Sequence, residues 1–132
     1  MQRKATINKQ GGPGFRPASV TDIAPALYPI RDRFRSQIVE RVIALEGLRI
    51  NVENGKDPHA AMADMIAIVH KISGVAATLG FLNAGHLAAH LEQHYNEGIN
   101  ARATFVVLWP QVEPMLIALM DELEVIADGD LA

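Results

Sequence analysis

An apolar stripe with helical spacing runs through residues 64–81 and predicts an amphipathic helix there. On a helix that advances about 100° per residue, the stripe falls within about 80° of Met65. Its members are Met62, Ile68, Val69, Ile72, Val75, Ala76 and Leu79. One side of the predicted helix therefore faces an apolar core, and other elements must cover it.

Three further stretches carry the same three-to-four residue spacing and are predicted to be helices. They cover residues 29–52, about 84–97 and about 104–127. Asn54-Gly55 is typical of a helix end, and Asp57-Pro58 is typical of a helix start. No stretch has a strand alternation of comparable strength. The predicted fold class is therefore all-α, as an up-down-up-down antiparallel four-helix bundle.

The beginning of the chain has a different character. Residues 1–20 contain five glycine and proline residues between positions 11 and 17 and no apolar period, which predicts a disordered tail. Thr21-Asp22 is a plausible helix start, but Pro25 and Pro29 allow only a short N-terminal helix after it. The predicted domain organisation is a tail over residues 1–20 and one bundle domain over residues 21–132.

Composition and charge exclude several classes of protein. A chain of 132 residues with 49% hydrophobic but only 5% aromatic residues suits one small domain of packed helices. It has no cysteine, which excludes disulfides and thiolate metal sites. The net charge is −3, and because residues 1–20 carry +4, the remainder carries −7 and would repel nucleic acid. No apolar run suits a membrane span or a secretory signal, so we expect a cytoplasmic protein without a membrane or nucleic-acid partner.

His70 lies on the outer side of the helix predicted over residues 64–81, about 140° from Met65. The residues beside it on that side are all small: Ala63, Ala67, Gly74 and Ala77. The imidazole is therefore expected to stand clear, with room for the backbone of another molecule. A glycine inside a helix costs about 1 kcal/mol relative to alanine, so Gly74 needs a reason. The alternative is an ordinary surface histidine beside a glycine required for packing.

The segment from His70 to Phe81, HKISGVAATLGF, resembles the signature of histidine-containing phosphotransfer domains. In that family a glycine follows the histidine by four residues, and small residues and a Leu-Gly pair close the helix. The next helix of the family carries a Leu-Glu pair, which Leu91-Glu92 fits. The resemblance extends over roughly residues 30–127. The family often has a lysine three residues after the histidine, where this chain has Ser73, and the nearest lysine here is Lys71.

The resemblance implies a phosphorelay carrier that folds as a four-helix bundle. His70 would accept a phosphoryl group from an aspartate of a receiver domain and pass it to another receiver. Lys71 and Ser73 are then the candidate phosphate-stabilising residues. The candidate docking surface is formed by Ala63, Ala67, Gly74 and Ala77.

The same resemblance sets the expected partners and cofactors. The partners would be response-regulator receiver domains, a hybrid histidine kinase, or both. We expect no cofactor bound by this chain, and Mg²⁺ on the partner receiver domain. The chain has no glycine-rich phosphate loop and no evident base beside its serines, so we expect no autonomous kinase or hydrolase activity.

Two alternatives remain open. One is an interaction module that docks receiver or kinase domains without phosphotransfer, which the missing lysine at the usual position allows. The other is a small metal-binding bundle through His86, His90 and His94, whose spacing of four suits metal ligands on a helix. These histidines drift around the helix by about 40° per step and would need a bend to meet at one ion. A polar flank is therefore favoured, and no metal site is predicted.

Overall fold

The computed structural model describes residues 22–129, and their regular structure is helical. The four helices are α1 (Tyr28–Glu53), α2 (Pro58–Ala76), α3 (Leu82–Asn100) and α4 (Phe105–Asp128). Each helix packs on the next in the chain, and α4 packs on α1, so the four form a closed ring. The predicted all-α fold class is confirmed. The tail predicted for residues 1–20 lies outside the described residues.

The residues before α1 differ from the prediction. Pro25–Leu27 form a single 3-10 turn that continues directly into α1, so the separate short N-terminal helix is not confirmed. Proline has no N–H to donate, and Pro25 and Pro29 leave few backbone donors for a longer helix here. Leu27 nevertheless packs against the core as a partly buried side chain.

The core fills the centre of the ring and is mainly aliphatic. Its fully buried members include Ile38, Leu45, Met65, Ile72, Leu91, Leu116 and Leu123. Val75, a member of the predicted stripe, lies outside this core because it is 38% exposed, and Ile30 near the start of α1 is 45% exposed. Val75 stands at the edge of the predicted stripe, and only the central part of an amphipathic face is fully covered by neighbouring helices.

The observed ends of the helices differ in several places from those predicted from the sequence. Asp57 precedes α2 with a positive φ of 45° and makes no side-chain capping bond, although Pro58 does begin the helix. Helix α2 stops at Ala76, and a turn ending at Gly80 comes next. Helix α3 begins at Leu82, two residues before the predicted start at about residue 84, so Asn83, whose side chain suits a cap, lies inside the helix.

Helix α4 continues through Pro110 and Pro114, although a proline inside a helix usually kinks or breaks it. Both prolines lie away from the buried face, and Val106, whose carbonyl loses its usual partner at Pro110, is exposed. A carbonyl freed on the outer side of a helix can bind water, so the missing N–H groups do not stop this helix.

A close contact holds the end of α2 against the beginning of α3. A Cβ atom at Gly85 would lie 3.0 Å from the Cβ of Ala77 and 3.1 Å from its backbone nitrogen. Real Cβ atoms rarely come so close to backbone atoms, so only glycine fits here without movement. This contact fixes the distance between the two helices that carry the candidate site.

Polar contacts join α1 to α4 at the opposite side of the ring. The Arg49 guanidinium donates to both Glu46 oxygens at 2.9 and 2.8 Å and to Glu113 at 2.9 Å. The hydrogen bond from Arg49 holds the pKa of Glu46 below its ordinary value. The indole Nε1–H of Trp109, a residue with no assigned role at the sequence level, donates to Glu53 at 2.8 Å. These bonds satisfy a buried indole and fix the register of the two helices.

Candidate functional site

His70 stands on the outer surface of α2, with 71% of its side chain exposed. Ala67 and Gly74, one turn before and one turn after it, are exposed as well. A Cβ atom added at Gly74 would meet no atom within 4 Å. No internal contact therefore requires a glycine at this position, and the alternative of a packing glycine has no support.

The imidazole of His70 is oriented by a carboxylate from the neighbouring helix. Its Nδ1 lies 2.5 Å from Oε2 of Glu92 on α3, whose side chain is 22% exposed. An ionised carboxylate only accepts hydrogen bonds, so Nδ1 carries the proton in this pair. In the neutral ring, Nε2 then holds the free lone pair and is the nucleophilic atom.

Ser73 belongs to the same group of side chains. Its hydroxyl donates to the backbone carbonyl of His70 at 2.9 Å and lies 3.5 Å from Oε1 of Glu92. The structure thus brings His70, Ser73 and Glu92 together at the α2–α3 boundary. Because a serine hydroxyl has one proton, Ser73 would have to leave the carbonyl of His70 to donate to a phosphoryl group.

Lys71 lies on the other side of His70. It lines a surface groove of about 270 Å³ between α1 and α2, together with Glu40, Arg41, Ala44 and Ile68. Its side chain is exposed and has no hydrogen bond or ion pair with the residues that the structure describes. The two residues chosen as phosphate-stabilising candidates therefore approach His70 from opposite sides.

The four small residues of the candidate docking surface are all exposed. Ala63, Ala67 and Gly74 lie on α2, and Ala77 lies in the turn immediately after it. Because they are spaced by one or two helical turns from His70, they border it both before and after along the helix. No long side chain of α2 projects from these positions.

The histidines of α3 belong to no cluster of three or more potential metal ligands in residues 22–129. No group of three or more histidine or carboxylate side chains there is arranged to hold an ion. His94 instead binds Oε1 of Gln111 on α4 through Nε2, at 2.7 Å. The described helices also include none that is long and apolar enough to cross a membrane.

Glu92 is the site residue that the sequence analysis missed, since it entered only as one half of a Leu-Glu pair. The sequence spacing of His70 and Glu92 could have indicated their contact. His70 and Glu92 are each eleven residues from Phe81, which lies between α2 and α3. In a hairpin of two helices, residues at equal distances from the turn come to lie side by side.

One comparison with known proteins found a match. The sequence model of the Hpt domain matches residues 30–128, which are 99 of the 132 residues. The search of curated proteins and the search of solved structures gave no match. Hpt domains interact with receiver domains and histidine kinases in phosphorelays. Because the match covers most of the chain, the protein belongs to the Hpt domain family, whose members carry phosphoryl groups in two-component signalling.

Proposed function

We propose that this protein is a phosphorelay carrier in which Nε2 of His70 accepts a phosphoryl group from a receiver-domain aspartate and passes it to another receiver. The observation that carries the proposal is the hydrogen bond between Nδ1 of His70 and Glu92. In the neutral imidazole, this bond places the lone pair on Nε2, and the side chain is 71% exposed. An exposed nucleophile is what a carrier needs, because its reaction partner is another protein.

The transfer step balances without any added reactant. The lone pair of Nε2 attacks phosphorus, the bond between phosphorus and the aspartate oxygen breaks, and the receiver keeps a free carboxylate. The ring gains positive charge, and the Nδ1–H bond to the Glu92 carboxylate stabilises that charge as it develops. Transfer to a second receiver is the reverse step, in which an aspartate oxygen attacks phosphorus and Nε2 regains its lone pair.

The remaining site residues have roles that follow from their positions. Ser73, whose hydroxyl donates to the backbone carbonyl of His70, can turn to donate to a phosphoryl oxygen instead, and Lys71 reaches towards the phosphoryl oxygens from the α1 side. Mg²⁺ held by the receiver would supply the charge neutralisation that phosphoryl transfer requires. The docking surface is formed by Ala63, Ala67, Gly74 and Ala77, which let the receiver backbone approach Nε2.

The architecture in this proposal is an up-down-up-down bundle, working in the cytoplasm. Two contacts support the alternating course of α1 and α4, since Arg49 meets Glu113 and Glu53, one turn later, meets Trp109. The numbering rises in one helix as it falls in the other. The short connections between consecutive helices favour the same arrangement.

The experiment that tests the proposal is transfer from a phosphorylated receiver domain in the presence of Mg²⁺. We expect acid-labile, base-stable phosphate on the wild type and none on His70→Gln. The matched control is His90→Gln, because His90 is also an exposed histidine, on α3, and should leave labelling unchanged. Binding of receivers without any labelling would contradict the proposal and indicate an interaction module that lacks transfer.

A further inference from the structure

An open apolar groove lies between α1 and α4, on the side of the ring away from the α2–α3 boundary. It has a volume of about 280 Å³. Four aliphatic side chains of α1 form it with Ala127 of α4, namely Ile38, Val39, Val42 and Ile43. Val39 is 57% exposed and Ile43 is 66% exposed, so none of the residues that the structure describes covers them.

The edge of this groove is acidic. Glu124 and Asp128 of α4 line it, and neither carboxylate has a hydrogen bond or ion pair within residues 22–129. Apolar side chains next to free carboxylates suit an occupant that combines an apolar side chain with positive charge. A second copy of this groove would instead bring like charges together.

We propose that residues 1–21 of the same chain occupy the α1–α4 groove, with Phe15 against the aliphatic side chains and Arg16 beside Glu124 and Asp128. This segment carries Arg3, Lys4, Lys9 and Arg16 and no acidic residue. Phe15-Arg16 places an aromatic ring next to a guanidinium, which is the combination that the groove suits.

The chain is long enough for this arrangement. Val39 follows Tyr28 by eleven residues, which places it about 16 Å along α1 from the helix start. The seven residue steps from Asp22 back to Phe15 span up to about 25 Å when extended. Phe15 can therefore reach the groove, which lies at the middle of α1 and the last turns of α4.

Spin labelling of the full chain tests this proposal, and the absence of native cysteine makes single-site labelling direct. With a nitroxide on Gln10→Cys, we expect strong broadening of the NMR signals of Val39, Ile43 and Ala127. The signals of Gly74 and Val75 on α2 should keep their linewidths. The double variant Phe15→Ala with Arg16→Ala should lose the broadening.

A variant of the groove provides the matched comparison. Ile43→Glu changes an exposed side chain at the groove and should abolish the broadening, whereas Val106→Glu changes a 76% exposed valine elsewhere and should preserve it. Unchanged thermal midpoints for both variants confirm that the fold is intact. Equal broadening over the whole surface, or none at the groove, would overturn the proposal.

A mixing experiment separates the chain's own segment from that of a second copy. Spin-labelled chains without isotope are mixed with isotope-labelled chains that carry no spin label. Under the proposal, the broadening in this mixture is lost. Broadening that persists there would identify a second copy as the occupant and overturn intramolecular docking.

Discussion

Replacing Gly74 by alanine should stabilise the protein and slow phosphotransfer at the same time. A glycine inside a helix costs about 0.5–1 kcal/mol relative to alanine. The added Cβ atom meets nothing within 4 Å, and the residue is not in a positive-φ conformation. We therefore expect the free energy of unfolding to rise by about 0.5–1 kcal/mol, and the thermal midpoint to rise by roughly 4 °C.

Gly85→Ala is the matched control, because the same methyl group enters an occupied space. It would lie 3.0 Å from the Cβ of Ala77 and 3.1 Å from its backbone nitrogen, so the two helices must move apart. Overpacking of this kind costs about 1–3 kcal/mol, which outweighs the gain in helix propensity. We expect Gly85→Ala to lower the free energy of unfolding in the same denaturant titration.

Phosphotransfer to Gly74→Ala should fall although the protein is more stable, since the methyl group would lie on the proposed docking surface. The assay is the initial rate of label transfer from a phosphorylated receiver, measured beside denaturant unfolding of the same preparation. A loss of stability would refute the inference that this surface is open. A gain in stability with an unchanged transfer rate would instead remove Gly74 from the docking surface.

Three further changes test other contacts. Glu92→Ala should slow transfer by roughly tenfold to a hundredfold, the range for removing a group that orients a histidine, with little change in receiver affinity. An unchanged rate would show that the ring needs no carboxylate. Glu46→Gln should lower the free energy of unfolding by about 0.5 kcal/mol or less at neutral pH, because the ion pair of Glu46 with Arg49 is partly exposed. The pKa of Glu46 is lowered in the folded protein. The difference in unfolding free energy between wild type and Glu46→Gln should therefore be fully present above the ordinary glutamate pKa and vanish as the pH falls through the lowered pKa of Glu46. Trp109→Phe should lower the free energy of unfolding by about 1–2 kcal/mol, because it leaves Glu53 without its indole donor.

The helices were predictable because their signals are local. The apolar period and the Gly and Pro positions located α1 and α4 to within one residue at each end. Capping was less predictable, since Asn83 and Asp57 have suitable side chains but the backbone at each position decides whether a capping bond forms. Val75 was assigned to the core because a stripe on one helix does not show how far the neighbouring helices extend over it.

The candidate site was predictable where it depends on one helix and missed where it depends on two. Exposure of His70 among small residues follows from the spacing within α2 alone. The contact of His70 with Glu92 depends on the register between α2 and α3, which no single-helix pattern contains. The same holds for Lys71 and Ser73, whose different neighbours follow from the order of helices around the ring.

The close contact at Gly85 keeps α2 and α3 at the separation at which His70 and Glu92 form their hydrogen bond. The histidine and its carboxylate belong to different helices, and their hydrogen bond is 2.5 Å long. Hydrogen bonds weaken steeply beyond about 3.2 Å, so α2 and α3 need to separate by only about 1 Å for the imidazole to turn freely. A small separation of α2 and α3 would therefore slow transfer to the rate expected of Glu92→Ala, long before the bundle unfolds.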